Sequence, residues 1–133
     1  MSRLMLPRIV LTVGAHERLA LLISVLRGGL IDDLLEFLDQ EVARADLVDD
    51  HDLCDRVAAL GRRVIFRDNI LMIEKCVTLT YPGHETQTSD GMSVLTPEGA
   101  CLLGLPEGQS MQYWQGGQAV CDVTLCSVLR AGT

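Results

Sequence analysis

Apolar residues recur at helical spacing near the start of the chain. A short apolar run at 9–13 suits a strand or an extended lead-in. From Ala15 onward one face of the segment is apolar at positions i, i+3, i+4 and i+7, namely Leu19, Leu22, Ile23 and Leu26. This spacing predicts a helix. Gly28 and Gly29 end it, because glycine readily adopts the left-handed backbone conformation that closes a helix.

A second amphipathic segment follows after two or three residues. Its apolar stripe consists of Ile31, Leu34, Leu35, Leu38, Val42 and Ala45. Its other face is acidic and carries Asp32, Asp33, Glu36, Asp39 and Glu41. Two such helices with so short a link fold back antiparallel and bury their stripes together. We therefore predict a helical hairpin, a short coiled coil, within residues 1–50.

The predicted hairpin is short, and acidic residues lie near its tip. A first helix of about 13 residues, with a rise of about 1.5 Å per residue, is only about 20 Å long. The residues at or next to the predicted tip are Gly28, Gly29, Asp32 and Asp33.

The second half of the chain changes to strand-like patterns. Apolar and β-branched runs at 64–66, 76–81, 93–95, 110–114 and 119–128 are separated by turn residues. Residues 46–56 are acidic and poorly periodic, and we interpret them as a linker. The sequence thus predicts an α+β chain in which a small antiparallel sheet with one short helix occupies residues 57–129.

The short helix of this half is marked at both ends. Thr96 is a favourable N-cap, since its hydroxyl oxygen can accept a hydrogen bond from a free backbone N–H. Pro97 suits the first helical position and Glu98 complements the positive end of the helix dipole. Gly104 can close the helix in a left-handed conformation.

The net charge of −7 is concentrated in one segment. From Asp32 to Asp55 there are 10 acidic residues and one basic residue, Arg44. Such a surface repels a phosphate backbone, so direct, sequence-specific binding of nucleic acid is not expected. It suits a basic protein surface, or a channel that normally accepts nucleic acid. The alternative interpretation is a solvated helix face that keeps the chain soluble.

The sequence offers little chemistry for catalysis. It contains no Cys-x-x-Cys pair, hydrolase motif or phosphate loop. His51 and Cys54 could be two ligands of a zinc ion, but no second pair of ligands occurs at the spacing that zinc sites use. We expect no catalytic residue, metal or cofactor. The five cysteines are expected to be reduced and to act as small buried hydrophobic residues. With no secretory leader and no apolar stretch of about 20 residues, the sequence predicts a cytoplasmic protein without membrane contact.

The second half resembles the C-terminal domain of the GreA/GreB transcription elongation factors. The resemblance rests on Arg-Val-Ile-Phe-Arg at 63–67, Val-Thr-Leu-Thr-Tyr-Pro at 77–82 and the segment 92–109. Within that segment the most specific motif is Thr-Pro-Glu-Gly-Ala-Cys-Leu-Leu-Gly, which is followed by Pro-Glu-Gly-Gln. The segment 14–22 and the short hairpin also resemble the short branch of this superfamily, the regulators of nucleoside diphosphate kinase.

This resemblance implies an FKBP-like fold for residues 57–129, a curved antiparallel sheet packed on one short helix. It also implies a partner, bacterial RNA polymerase, bound beside its secondary channel. In the family the loop before the short helix takes part in docking, and here that position is held by Leu95, Thr96, Pro97 and Glu98. In long family members acidic tip residues help to hold a catalytic metal. Asp32 and Asp33 lie near the tip but do not match that acidic motif.

Three functions remain open at this point. The first is a non-enzymatic regulator that binds polymerase without cleaving transcripts, and the short hairpin favours it. The second is an elongation factor that stimulates transcript cleavage. The third is an FKBP-like interaction module with another partner. Peptidyl-prolyl isomerisation is disfavoured, because such enzymes line their pocket with several aromatic residues and the whole chain has five. The sequence leaves the oligomeric state open.

Overall fold

The computed structural model describes residues 6–27 and 32–130, with the backbone alone for Asp32. The helices are α1 (Val13–Leu26), α2 (Asp32–Arg44) and α3 (Pro97–Leu102). The strands are β1 (Val10–Thr12), β2 (Asp46–Val48), β3 (Arg63–Asp68), β4 (Ile73–Thr80), β5 (Gly91–Ser93), β6 (Ser110–Gln115) and β7 (Gln118–Leu129). Two short 3-10 helices lie at Asp50–Asp52 and Glu85–Gln87.

The predicted helices are present, and they bury the faces that the sequence pattern indicates. At the start of α1 the Thr12 hydroxyl accepts a hydrogen bond from the Ala15 N–H at 3.1 Å, which satisfies one free donor. Leu19 and Ile23 of α1 are fully buried. The buried residues of α2 are Leu34, Leu35, Leu38, Glu41 and Val42. The two helices contact each other, and Gly28 and Gly29, the predicted tip, lie outside the described residues.

The interpretation of residues 46–56 as a linker is wrong in part. Asp46–Val48 forms β2, which pairs in parallel with β1 in register Val10 with Asp46 and Thr12 with Val48. The Asp50 carboxylate then accepts a hydrogen bond from the Gly14 N–H at 3.2 Å, at the start of α1. Strands of three residues are too short to show an alternating pattern, so the periodicity of the sequence did not reveal them.

The second half forms one five-stranded sheet with the order β5-β4-β3-β7-β6. Three of its pairings are antiparallel, as predicted, but β5 lies parallel to β4 with Thr78 opposite Gly91. Parallel pairing arises because the chain returns over residues 81–90 before β5 begins. The β6–β7 turn has φ of 62° at Gly116 and 82° at Gly117, the double left-handed geometry of a tight hairpin turn. The α+β fold class is confirmed.

The predicted strand at 93–95 ends earlier than the sequence suggests. The Ser93 hydroxyl accepts a hydrogen bond from the Leu95 N–H at 2.9 Å, and the Thr96 N–H donates to the Ser93 carbonyl oxygen at 3.2 Å. These bonds turn the chain out of β5 and into α3. At the other end of α3, Gly104 has φ of 75°, as the predicted left-handed closure requires.

Both halves of the chain contribute to one apolar core. Leu19, Ile23 and Leu38 of the hairpin belong to the same buried cluster as Phe66 and Leu125 of the sheet. In addition, the Val10 N–H donates to the Gly104 carbonyl oxygen at 3.0 Å, so the first strand is tied to the end of α3. The separate units 1–50 and 57–129 stay a prediction. Among the described residues, no helix has both the length and the apolar character needed to cross a membrane.

Because α2 is held by its buried face, Leu38→Ala is expected to lower the free energy of unfolding by about 2–5 kcal/mol. Leu38 is fully buried, whereas Leu21 on α1 is 67% exposed. The matched control Leu21→Ala is therefore expected to change stability by less than about 0.5 kcal/mol. Chemical denaturation of both variants measures the difference, and equal effects would contradict the proposed packing of α2.

Candidate docking surface and helical tip

The first predicted site, Leu95 to Glu98, forms the entry to α3 and is called the α3 rim. Gly99 N–H donates to the Thr96 hydroxyl at 3.0 Å, and that hydroxyl donates to the Ser93 carbonyl oxygen at 2.7 Å. Pro97 is exposed and Leu95 packs partly against the core. The capping role of Thr96 is therefore met, while Pro97 remains accessible to a partner.

Glu98 of the α3 rim is bound to the sheet. Its carboxylate accepts a hydrogen bond from the Lys75 ammonium of β4 at 2.9 Å. The same ammonium lies 3.8 Å from the carboxylate of Asp68 at the end of β3. The hydrogen bond with Glu98 raises the pKa of Lys75 above its ordinary value, with a smaller opposing effect of burial. Lys75 thus links the first turn of α3 to the β3–β4 connection.

The β3–β4 connection exposes four consecutive apolar residues, here called the apolar turn. The exposed fractions are 50% for Ile70, 62% for Leu71, 61% for Met72 and 46% for Ile73. Exposed apolar patches of this kind commonly mark interaction sites. In the sequence, Asp68 and Asn69 are typical turn residues after the run at 64–66. The four apolar residues directly behind them are the signal by which this patch could have been found.

The conformation of the apolar turn is fixed by hydrogen bonds. One oxygen of the Asp68 carboxylate accepts from the backbone N–H groups of Ile70 at 2.9 Å and Leu71 at 3.0 Å. Met72 has φ of 61°, in the left-handed region that non-glycine residues rarely adopt. A turn fixed in this way presents its apolar side chains with little entropy left to lose on binding.

Of the second predicted site, the hairpin tip, Asp33 is the one residue whose side chain lies within the described part of the chain. The side chain of Asp32 is outside the described part of the molecule, whereas Asp33 is exposed. The Asp33 carboxylate accepts a hydrogen bond from the Gln115 side-chain amide at 3.2 Å, at the end of β6. The α3 rim instead contacts β4 through Glu98. The two predicted sites therefore contact different strands of the sheet.

The acidic face of α2 is only partly a solvated surface. Arg27, which directly follows α1, donates to Asp39 of α2 at 2.6 Å and to Glu36 at 3.4 Å. Its hydrogen bond with Asp39 raises the pKa of Arg27. Glu41, by contrast, is 4% exposed and accepts two hydrogen bonds from Arg44, at 2.9 and 2.7 Å. The prediction of a solvated acidic face is thus wrong for Glu41, whose charge is buried and paired.

Possible metal ligands meet around His51, which also belongs to the fragment with Cys54 considered in the sequence, but Asp49 and Asp52 rather than Cys54 lie beside it. In the described residues the side chains of Asp49, His51 and Asp52 bring their ligand atoms within 4.8 Å of one another. All three side chains are exposed. Such exposed acidic groups are common without a metal, so they suggest no metal chemistry here.

The cysteines differ in burial, and the buried Cys101 is not activated as a nucleophile. All five are free, and Cys101 and Cys121 are buried while Cys54 and Cys126 are exposed. The prediction that the cysteines are buried is therefore wrong for the last two. A hydrogen bond with Cys121, together with burial, raises the pKa of the Cys101 thiol well above its ordinary value. A raised pKa disfavours the thiolate that a nucleophile requires.

Comparison with known sequences identifies regulators of nucleoside diphosphate kinase. The chain is 33% identical over 88 residues to this protein from Escherichia coli (strain K12), and equally to that from Shigella flexneri. The matched region is 65% of the chain and 64% of each relative, so the chain spans just under two thirds of these curated proteins. No family model matches the sequence.

A solved structure of a transcription elongation factor has a similar fold. The prokaryotic GreA/GreB factor from Nitrosomonas europaea superposes with a TM-score of 0.69 and 29% sequence identity. The match covers 93% of this chain and 99% of that structure. The resemblance to the regulators of nucleoside diphosphate kinase is therefore confirmed in sequence, and the resemblance to the GreA/GreB factors is confirmed in fold.

Thr96→Ala is expected to lower the free energy of unfolding by about 1 kcal/mol, because the N-cap hydrogen bond to the Gly99 N–H is lost. Thr96→Ser keeps the hydroxyl and should retain most of that stability. Chemical denaturation compares the two variants. A Thr96→Ser variant as unstable as Thr96→Ala would show that the methyl group, rather than the cap, matters.

Glu98→Gln is expected to lower the pKa of Lys75, since its largest cause is the hydrogen bond with Glu98. An ion pair that raises the pKa of a lysine stabilises the fold at pH values below the ordinary lysine pKa. That stabilisation is lost as the pH rises through the pKa of the lysine in the folded state. An NMR titration of the Lys75 side chain measures the shift. An unchanged pKa in Glu98→Gln would contradict the ion pair.

Proposed function

We propose that this protein binds bacterial RNA polymerase beside its secondary channel and regulates transcription without cleaving transcripts itself. The fold shared with a GreA/GreB elongation factor supports this function. The observation that carries it is the α3 rim, where an exposed Pro97 lies at the entry to a well-capped helix. The proposed partner also places the protein in the cytoplasm.

The apolar turn extends this proposed docking surface. Lys75 contacts both Asp68 at the base of this turn and Glu98 on the α3 rim, so ion pairs link the two features. We propose that Leu71 and its neighbours in the turn contact the same partner as Pro97. Apolar side chains on a rigid turn add binding energy through burial, with little ordering of the free protein.

The helical hairpin supports a regulator rather than a cleavage factor. Its first helix has 14 residues and is therefore about 21 Å long, at about 1.5 Å per residue. Asp33 is engaged by Gln115 on the sheet rather than extended away from it. A hard cation such as Mg²⁺ in the active site of the polymerase would be held only if several carboxylates reached it together. A short hairpin held against the sheet does not favour that reach.

The docking surface is tested by binding of the purified protein to core RNA polymerase, measured by biolayer interferometry. Pro97→Ala and Leu71→Ser are each expected to weaken binding about tenfold, which corresponds to about 1.4 kcal/mol. The control Leu21→Ser also replaces an exposed leucine, but on α1, and should bind like the unaltered protein.

Two results would contradict the proposal. Absence of binding at micromolar protein would exclude polymerase as the partner. Equal weakening by Leu21→Ser and Leu71→Ser would show that binding does not depend on the apolar turn. Circular dichroism of each variant confirms that the fold is retained, so that a loss of binding reports on the surface.

A further inference from the structure

A cavity of about 360 Å³, here called the Arg18 cavity, lies beside the start of α1. Its described walls come from β1, α1, the 3-10 helix at Asp50–Asp52, the segment before β3, Tyr81 after β4 and the residue that follows α3. Four leucines line it, namely Leu11, Leu53, Leu60 and Leu103. The cavity therefore offers apolar surface where the first helix meets the second half of the chain.

Arg18 of α1 presents a fixed positive charge to this cavity. Its guanidinium carbon lies over the ring of Tyr81, 4.1 Å from the ring centroid, so the cation stacks on the ring. The other side of this arrangement is also held, because the Tyr81 ring is in edge contact with His84 at a centroid distance of 6.3 Å. In the described part of the chain no carboxylate pairs with Arg18. Its N–H groups are therefore available to a ligand.

A second arginine adds positive charge to the cavity wall. Arg62 donates hydrogen bonds to the carbonyl oxygens of Cys54 at 2.6 Å, Val57 at 2.9 Å and Leu53 at 3.4 Å. These oxygens fix the side chain, but they are neutral and form no ion pair. The positive charge of Arg62 thus adds to that of Arg18.

The acidic residue among the described lining residues, Asp50, is already engaged. Its carboxylate accepts a hydrogen bond from the Gly14 N–H at 3.2 Å, at the positive end of the α1 dipole. Two arginines and one aspartate give the described lining a net charge of +1, in a chain whose net charge is −7. The cavity therefore favours an anion, although the chain as a whole is acidic.

The Tyr81 hydroxyl reports on both the apolar walls and the arginine. Burial is the largest influence and raises its pKa, while the charge of Arg18 opposes this effect and that of Asp50 adds to it. The ring on which Arg18 stacks is therefore partly shielded from water. Charges interact more strongly in such surroundings than in bulk solvent.

We propose that the Arg18 cavity binds a carboxylate attached to an apolar group, as at the end of a peptide chain whose last residue is leucine. The leucine-lined walls would bury the apolar group, and Arg18 would pair with both carboxylate oxygens. The Thr12 hydroxyl accepts from the Ala15 N–H at 3.1 Å and has its own proton left to donate to the carboxylate. The cavity shares no residue with the α3 rim or the apolar turn, so the site does not depend on the proposed function.

The test is an NMR titration of the whole, nitrogen-15-labelled chain with N-acetyl-leucine, in the absence of polymerase. Saturable shifts are expected for the backbone amides of Gly14 and Ala15 and for the Arg18 side-chain Nε–H. N-acetyl-leucinamide has the same apolar group without the charge, and it should bind at least about tenfold more weakly.

Variants identify the groups that bind. Arg18→Gln is expected to weaken binding of N-acetyl-leucine about tenfold or more. Arg18→Lys keeps the charge but should also bind more weakly than the unaltered chain, because an ammonium does not pair with two oxygens in a fixed geometry. The control Arg56→Gln removes an exposed positive charge outside the cavity and should leave binding unchanged.

A further arm distinguishes two sources of the ligand, a small carboxylate and the end of a peptide chain. The probe is N-acetyl-Gly-Ser-Gly-Leu with a free C-terminal carboxylate. Tighter binding of this peptide than of N-acetyl-leucine supports the site with a chain end as its ligand. Equal or weaker binding supports the site with a small carboxylate as its ligand.

Three outcomes would overturn the proposal. They are no saturable shift at tens of millimolar N-acetyl-leucine, equal binding of the amide, and equal weakening by Arg18→Gln and Arg56→Gln. Circular dichroism confirms that each variant is folded. Since polymerase is absent, failure here leaves the proposed docking at the α3 rim untouched, and failure of that docking leaves this result untouched.

Discussion

The rest of the structure depends on the burial of the apolar face of α2. This helix is rich in charge, and its leucines are buried where α2 packs against α1 and α3. Burial of each such side chain contributes about 1.5–3 kcal/mol, so the helix is held firmly against the rest of the chain. The described part of the hairpin is consequently part of the core, and Asp33 near the start of α2 accepts a hydrogen bond from Gln115 of the sheet.

This constraint also shapes the surface of the molecule. Because the buried stripe fixes the rotation of α2, the residues beside it on the helix, Phe37 among them, turn towards β6 and enclose a cleft. The α3 rim and the apolar turn are exposed elsewhere, at Pro97 and at residues 70–73.

Much of the fold follows from local sequence signals. Thr96, Pro97 and Gly104 mark the ends of α3 because capping, proline placement and left-handed closure act over only a few residues. The parallel pairings of β1 with β2 and of β4 with β5 were not predicted, since they join short strands through contacts distant in sequence. The cleft was missed for a similar reason. The contact of Phe37 with Tyr113 depends on how α2 rotates against the sheet, which the periodicity of either segment alone does not determine.

The central claim is that the protein acts on polymerase without cleaving transcripts. The most direct measurement is transcript cleavage in stalled elongation complexes, with this protein alone and then with a cleavage factor added. The account predicts no cleavage above that of polymerase itself, and slower cleavage when the protein competes with the added factor. Accelerated cleavage by the protein alone, lost in an Asp32→Ala/Asp33→Ala double variant, would contradict it and would identify the hairpin tip as a functional cleavage element.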